Sequence, residues 1–117
     1  MNRAGLYSFL SSAVSVEIFA DYKPEDADLP VITYGHISNT RNRVKSGATS
    51  GKKDTWRLTI YAQDRQEIDD ILDQIEILDN QSSADFSSVY ILSTNDDNEA
   101  EGDPFVTTFI DIETTDR

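Results

Sequence analysis

Few side chains in this sequence combine a type and a spacing that can carry chemistry. There is one histidine, His36, and no cysteine, and no phosphate-cradling glycine loop, Gly-x-Ser-x-Gly elbow or paired-histidine motif accompanies them. A lone histidine in a strand, with no nucleophile or second ligand nearby in sequence, reads as a structural or surface residue rather than a base or a metal ligand. The lack of cysteine excludes disulfides and thiolate metal sites and fits synthesis in a reducing cytoplasm. The acidic run Asp96, Asp97, Glu99, Glu101 and Asp103 offers oxygen ligands to a hard cation, but it lacks the spacing of a calcium loop and its terminal glutamate, so a solvated hairpin tip is the simpler reading. Trp56, Tyr34, Tyr61 and Tyr90 are types that stack on bases, although aromatics in strands more often form core or cross-strand pairs. The expectation is therefore a protein without catalytic residues, metal, cofactor or small-molecule substrate.

Charge is the strongest global feature. Ten Lys and Arg stand against 22 Asp and Glu, a net charge of −12 over 117 residues, so the whole molecule repels nucleic acid and anionic membrane. The bases are unevenly placed. Arg41, Arg43, Lys45, Lys52 and Lys53 are five of the ten, in a stretch (39–53) that contains no acid. Asp69, Asp70, Asp73 and Glu76 make the polar side of a later helix almost purely acidic, and Asp69 with Asp73 is a like-charge i,i+4 pair that weakens the helix by itself.

The elements that must hold these charges are legible from periodicity. Trp56, Leu58, Ile60 and Ala62 alternate with Arg57, Thr59 and Tyr61, the period-2 mark of a strand with one buried face. The period then changes. Ile68, Ile71, Leu72, Ile75 and Leu78 fall on one stripe of a helix, with Asp64 as N-cap, Glu67 placed to reach back to the cap and Asn80 as a stop. Upstream, Leu6, Phe9, Leu10, Ala13 and Val14 mark a short amphipathic helix with Asn2 as its cap. Residues 16–22 are hydrophobic but short, 23–28 form a polar connection, and Pro30 stands at the entrance of a strand over 31–38, where it cannot break the ladder. Two later strands, 86–93 and 105–112, read as an antiparallel hairpin around an acidic loop, 95–103. The basic stretch 39–53 reads as a long flexible loop, too poor in apolar groups to offset the entropy of ordering it. The fold expected is one domain over 1–117, an α/β (α+β) sandwich with one mixed or antiparallel sheet of about four to five strands and two helices on one face. A 38% hydrophobic fraction suits such a thin two-layer core, or burial completed by partner subunits. The N-terminal apolar segment is interrupted by Ser8, Ser11 and Ser12, so neither a signal peptide nor a membrane span is expected.

The opening helix at Leu6 to Val14, the run Leu29-Pro30-Val31-Ile32-Thr33-Tyr34, the polar basic loop, and Trp56-Arg57-Leu58-Thr59-Ile60-Tyr61-Ala62 leading into the Ile68 to Leu78 helix resemble the tail terminator (tail-completion, minor tail protein U-like) proteins of long-tailed bacteriophages. The likeness covers roughly the first 80 residues, and the acidic loop departs from it. The resemblance implies a structural virion protein, assembled in the host cytoplasm and located in the tail, that forms a hexameric ring. Such a ring stops polymerisation of the tail tube and offers its other face for head-tail joining. The implied partners are further copies of the chain, the tail tube protein and a head-completion or connector protein, with no membrane and with nucleic acid only passing through the ring.

A closed ring needs unlike patches that meet between copies. The sequence offers the bases Arg41, Arg43, Lys45, Lys52 and Lys53 and the acids Asp69, Asp70, Asp73 and Glu76 as that pair. The alternative is a small nucleic-acid-binding or other interaction module that uses 41–53 on phosphates, against the charge of the rest of the chain.

Overall fold

The computed structural model describes residues 3–24, 28–43, 49–83, 85–97 and 105–116. Its elements run α1 (Arg3–Ala13), β1 (Glu17–Ala20), β2 (Val31–Arg43), β3 (Thr49–Ala62), α2 (Arg65–Glu76), β4 (Phe86–Asp97) and β5 (Val106–Asp116). The five strands form one sheet in the order β1-β2-β3-β5-β4. β1 is parallel to β2 and every other neighbour is antiparallel, which makes the sheet mixed. The fold is the α+β sandwich expected. β1 supplies its fifth strand: at four residues it is too short to display a period, and its pairing, Ile18 opposite Ile32, comes from tertiary contact.

One face of the sheet carries the core. Ile32 opposite Ile60, Leu58 opposite Ile110 and Trp56 opposite Ile112 place buried side chains in register across three strands. Leu6, Leu10 and Val14 of the first helical segment and Ile68, Ile71, Ile75 and Leu78 from α2 and its following turn close over them, with Phe86 and Val89 from β4. Each such side chain contributes roughly 1.5–3 kcal/mol on burial, before conformational entropy is counted. Leu72 differs from expectation. It is half-buried at the margin of this cluster, whereas its neighbours on the stripe are fully enclosed.

α2 starts where its cap dictates. The Asp64 side chain accepts from the backbone N–H of Glu67 at 2.9 Å, and Glu67 Oε1 accepts from the N–H of Gln63 at 2.8 Å, one residue before the expected partner. The turn after the helix places Asn80 at φ 60°, the left-handed geometry that asparagine tolerates better than most residues. Asn2 lies outside the described residues, so the N-cap of α1 does too.

The turn also covers the first part of the outer edge of β4. Asn80 N–H donates to Val89 O at 2.7 Å, Val89 N–H to Gln81 O at 3.0 Å and Ser83 N–H to Phe86 O at 2.9 Å. The N–H of Ile91 donates to Asp79 Oδ1 at 2.9 Å. These bonds occupy the outward groups of Val89, the carbonyl of Phe86 and the N–H of Ile91.

The basic stretch is not a fifteen-residue loop. β2 runs on to Arg43 and β3 begins at Thr49, with Asn39 opposite Asp54, Thr40 opposite Lys53, Arg41 opposite Lys52 and Arg43 opposite Thr49. The ladder persists because backbone pairing needs no apolar alternation, and alternation was the only strand signal the sequence offered. Residues 44–48, the remainder of the stretch expected to be flexible, lie outside those described. The acidic loop is shorter too: Asn95, Asp96 and Asp97 belong to β4, paired with Phe109, Thr108 and Thr107, and 98–104 lie outside the described residues.

Candidate functional site

Strand direction sends the two charged hairpins to opposite ends of the sheet. β2 ends and β3 begins at the basic end, while β4 reaches its acidic end beside Thr107, where β3 finishes with Ala62 opposite Val106. Nine residue steps along β3 separate Lys53 from Ala62, about 30 Å at the usual strand rise. The molecule is accordingly elongated, with principal extents of 55 × 26 × 22 Å.

At the basic end β2 and β3 leave the sheet as a two-stranded arm. β5 accompanies β3 only as far as Lys53, opposite Thr115. β1 accompanies β2 only over Val31 to Tyr34. The backbone of Arg41 and Arg43 lies in this arm, Lys52 and Lys53 sit half-buried on its other strand, and Lys45 lies outside the described residues. Asp69, Asp70, Asp73 and Glu76 are all exposed on α2. The structure thus places the two expected patches on separate elements, and among the described residues no ion pair joins them.

A polar node sits at the root of the arm, on the core face. Asp54 is fully buried. Its Oδ1 accepts from His36 Nε2 at 2.7 Å and from Asn39 Nδ2 at 2.9 Å. The carboxylate can only accept, so the His36 Nε2 carries the proton in this contact. Burial pushes the Asp54 pKa up, but the hydrogen bonds from Asn39 and His36 outweigh it and hold the carboxyl below its ordinary value of 3.8. Trp56, next on the same face, donates its Nε1–H to Thr114 Oγ1 at 2.9 Å. The His36 ring packs edge-on at 5.0 Å from that of Trp56, and Arg3 lies over the indole at 5.7 Å. A carboxylate with no exposed surface offers nothing to a substrate. The node instead fixes the point where the hairpin leaves the core, next to the register shift between His36 and Ser38. His36 is structural, as its isolation in sequence implied, and Trp56 and Tyr34 are core rather than a stacking platform.

Sequence reasoning passed over Asp54, Asn39 and Thr114. The signal was present: Asp54 extends the alternation of Trp56, Leu58, Ile60 and Ala62 by one step, and an acid on a buried stripe must have partners.

At the opposite end, Asp96 is committed to the fold. Its Oδ1 accepts from Thr108 Oγ1 at 2.8 Å and pairs with Arg65 at 3.2 Å. Arg65 also donates to Thr107 O at 3.3 Å, which ties the start of α2 to β4 and β5. On the sheet face away from the helices, Arg57 donates to both carboxylate oxygens of Asp111, at 2.9 and 3.2 Å, and lies 5.5 Å above the Phe109 ring. The hydrogen bonds to Asp111 raise the guanidinium pKa. With Arg57 about half exposed to solvent, this pair contributes about 0–1 kcal/mol.

The family described as Tail completion protein gp17 matches residues 7–114. The chain belongs to that family. Membership places it among the structural proteins of phage tail assembly and in the virion tail, and it extends the likeness from the first two-thirds of the chain through the β4–β5 hairpin. No curated protein matches the chain. Among the described residues, no helix is long and apolar enough to cross a membrane.

Proposed function

We propose that the protein closes the end of the tail tube as a ring of identical copies, a hexamer, which stops tube growth and presents its far surface to the head. The observation that carries this reading is the family match across 7–114. The geometry supports it in two ways. The acids and bases sit on different elements of one elongated molecule, the arrangement a heterologous, ring-closing contact requires. The arm also projects from the sheet at one end, where it can reach beyond its own subunit. The partners in this reading are other copies, the tail tube protein and a head-completion or connector protein, and the role is architectural rather than catalytic.

Tail assembly in cells that lack the protein tests the reading. Tubes of uncontrolled length without attached heads are the expected outcome, and added purified protein should restore both length and joining. Tails of normal length joined to heads in its absence would overturn it. Native mass measurement of the protein on tube ends should give six copies.

A further inference from the structure

We propose that the two-stranded arm, 40–43 with 49–53, docks on the exposed acidic face of α2 in a second copy of this chain. The inference rests on the reading of the protein as a ring of copies and names the surfaces that meet.

Three observations point to it. The first is that the arm is structurally incomplete. Beyond Lys53 neither of its strands has a further neighbour among the described residues, and an isolated two-stranded ribbon is at best marginally stable in water. Bases on an open ribbon also discourage unwanted edge pairing, but that purpose is served by charges of either sign, and 39–53 holds bases alone.

The second is the register. Arg41 stands directly opposite Lys52, and like charges in that position destabilise the pair of strands. An anionic surface laid against the arm converts this penalty into attraction.

The third lies on α2. Asp69 and Asp73 repel at i,i+4, and Asp73 and Glu76 occupy the C-terminal half of a helix whose last turn contains no base. Negative charge there opposes the helix dipole. The helix therefore carries two defects that cationic side chains relieve, as the arm carries one that carboxylates relieve.

Within one chain no ion pair joins the two patches among the described residues: α2 packs on β3, β5 and α1, while the arm leaves the sheet beyond the end of β5. A polyanion such as DNA would meet the same bases, but it would also meet a chain of net charge −12. A second copy brings the matching acids already arrayed on a rigid helix. Charge in such contacts sets register and partner choice more than affinity.

Disulfide trapping tests the contact, since the chain has no cysteine of its own. The Lys52→Cys and Asp73→Cys variants are mixed under oxidising conditions at low salt, and Lys52→Cys is mixed with Ser11→Cys, a change on the exposed side of α1, as the control. The 52–73 disulfide should form at least about tenfold faster than the control, and more slowly as salt screens the charges. Adding Asp69→Lys and Asp70→Lys to the Asp73→Cys partner should remove the advantage. Adding Arg41→Glu and Lys53→Glu to the other partner should then restore it. Equal rates for the 52–73 and control pairs overturn the proposal, and if wild type still gives a six-copy mass the ring survives, closed by other surfaces. Equal rates combined with loss of binding to a short DNA duplex on arm reversal would assign the arm to nucleic acid instead. Rapid, salt-sensitive 52–73 trapping alongside normal tails in cells lacking the protein would keep the pairing and discard the ring.

Discussion

The hairpin of β2 and β3 is one continuous ladder with two halves that are held in different ways. From Val31 to His36, opposite Tyr61 to Trp56, it is an interior part of a five-stranded sheet whose one face lies under two helices. From Asn39 to Arg43, opposite Asp54 to Thr49, β1 no longer flanks β2, and β5 flanks β3 only at Asp54 and Lys53. The first half is held by burial, by β5 along β3, and by β1 along β2 as far as Tyr34. The second is held by its own ladder and by the node at its root. Backbone pairing can thus be propagated beyond the core that nucleates it, and what is propagated in this way is available to a partner.

The largest expected effect comes from charging the first half's support. Ile75→Asp buries an unpaired carboxylate against the sheet and should leave no cooperative thermal transition, a loss on the order of 4 kcal/mol or more. Leu72→Asp, at the margin, should lower the melting temperature but retain a folded protein. Equal loss in both variants would mean that the margin is as enclosed as the centre.

An intermediate effect is expected at the join. Asp54→Asn exchanges a pure acceptor for an amide that cannot accept equally well from both His36 and Asn39, and should cost about 1–3 kcal/mol. Its pH signature is separable. Asp54 has a lowered pKa in the folded state, so its contribution is present above the unfolded value near 3.8 and is lost as pH falls through the folded value. Wild type should therefore lose more stability than Asp54→Asn in acid denaturation below about pH 4. Parallel curves would remove Asp54 from the stability of the join.

The smallest effect belongs to the second half. Lys52→Glu replaces a like-charge pair opposite Arg41 with an unlike one and should stabilise the isolated subunit by about 0.2–1 kcal/mol, seen as slower amide exchange in 40–43 and 49–53. The same change should weaken assembly. Unchanged exchange in the arm would indicate that the register opposition costs nothing in the free protein.

The sequence exposes the first half and hides the second for the same physical reason. Hydrophobic period is a record of burial, so Trp56, Leu58, Ile60 and the α2 stripe announce their strand and helix. Thr40, Arg41, Lys52 and Lys53 show no apolar alternation and leave no such record, and their strands are seen in the pairing alone. The node lies between these cases: Asp54 occupies a core position in the alternation, but its partners His36 and Asn39 are 18 and 15 residues away and meet it only through the register. The charge patches were legible as composition. Their positions on an arm and on a separate helix followed from topology, which composition does not contain.

The turn over 79–83 has a bearing on how such molecules are kept from associating without limit. A protein with two bare sheet margins of similar length can add strand to strand in an endless ribbon. Here both backbone groups of Val89 and the N–H of Ile91 are occupied by Asn80, Gln81 and Asp79 of the same chain, so the bare flank of β2 in one molecule meets groups already bonded at these positions on the β4 of another. Strand-to-strand addition at that part of the margin is discouraged within each subunit before any partner arrives.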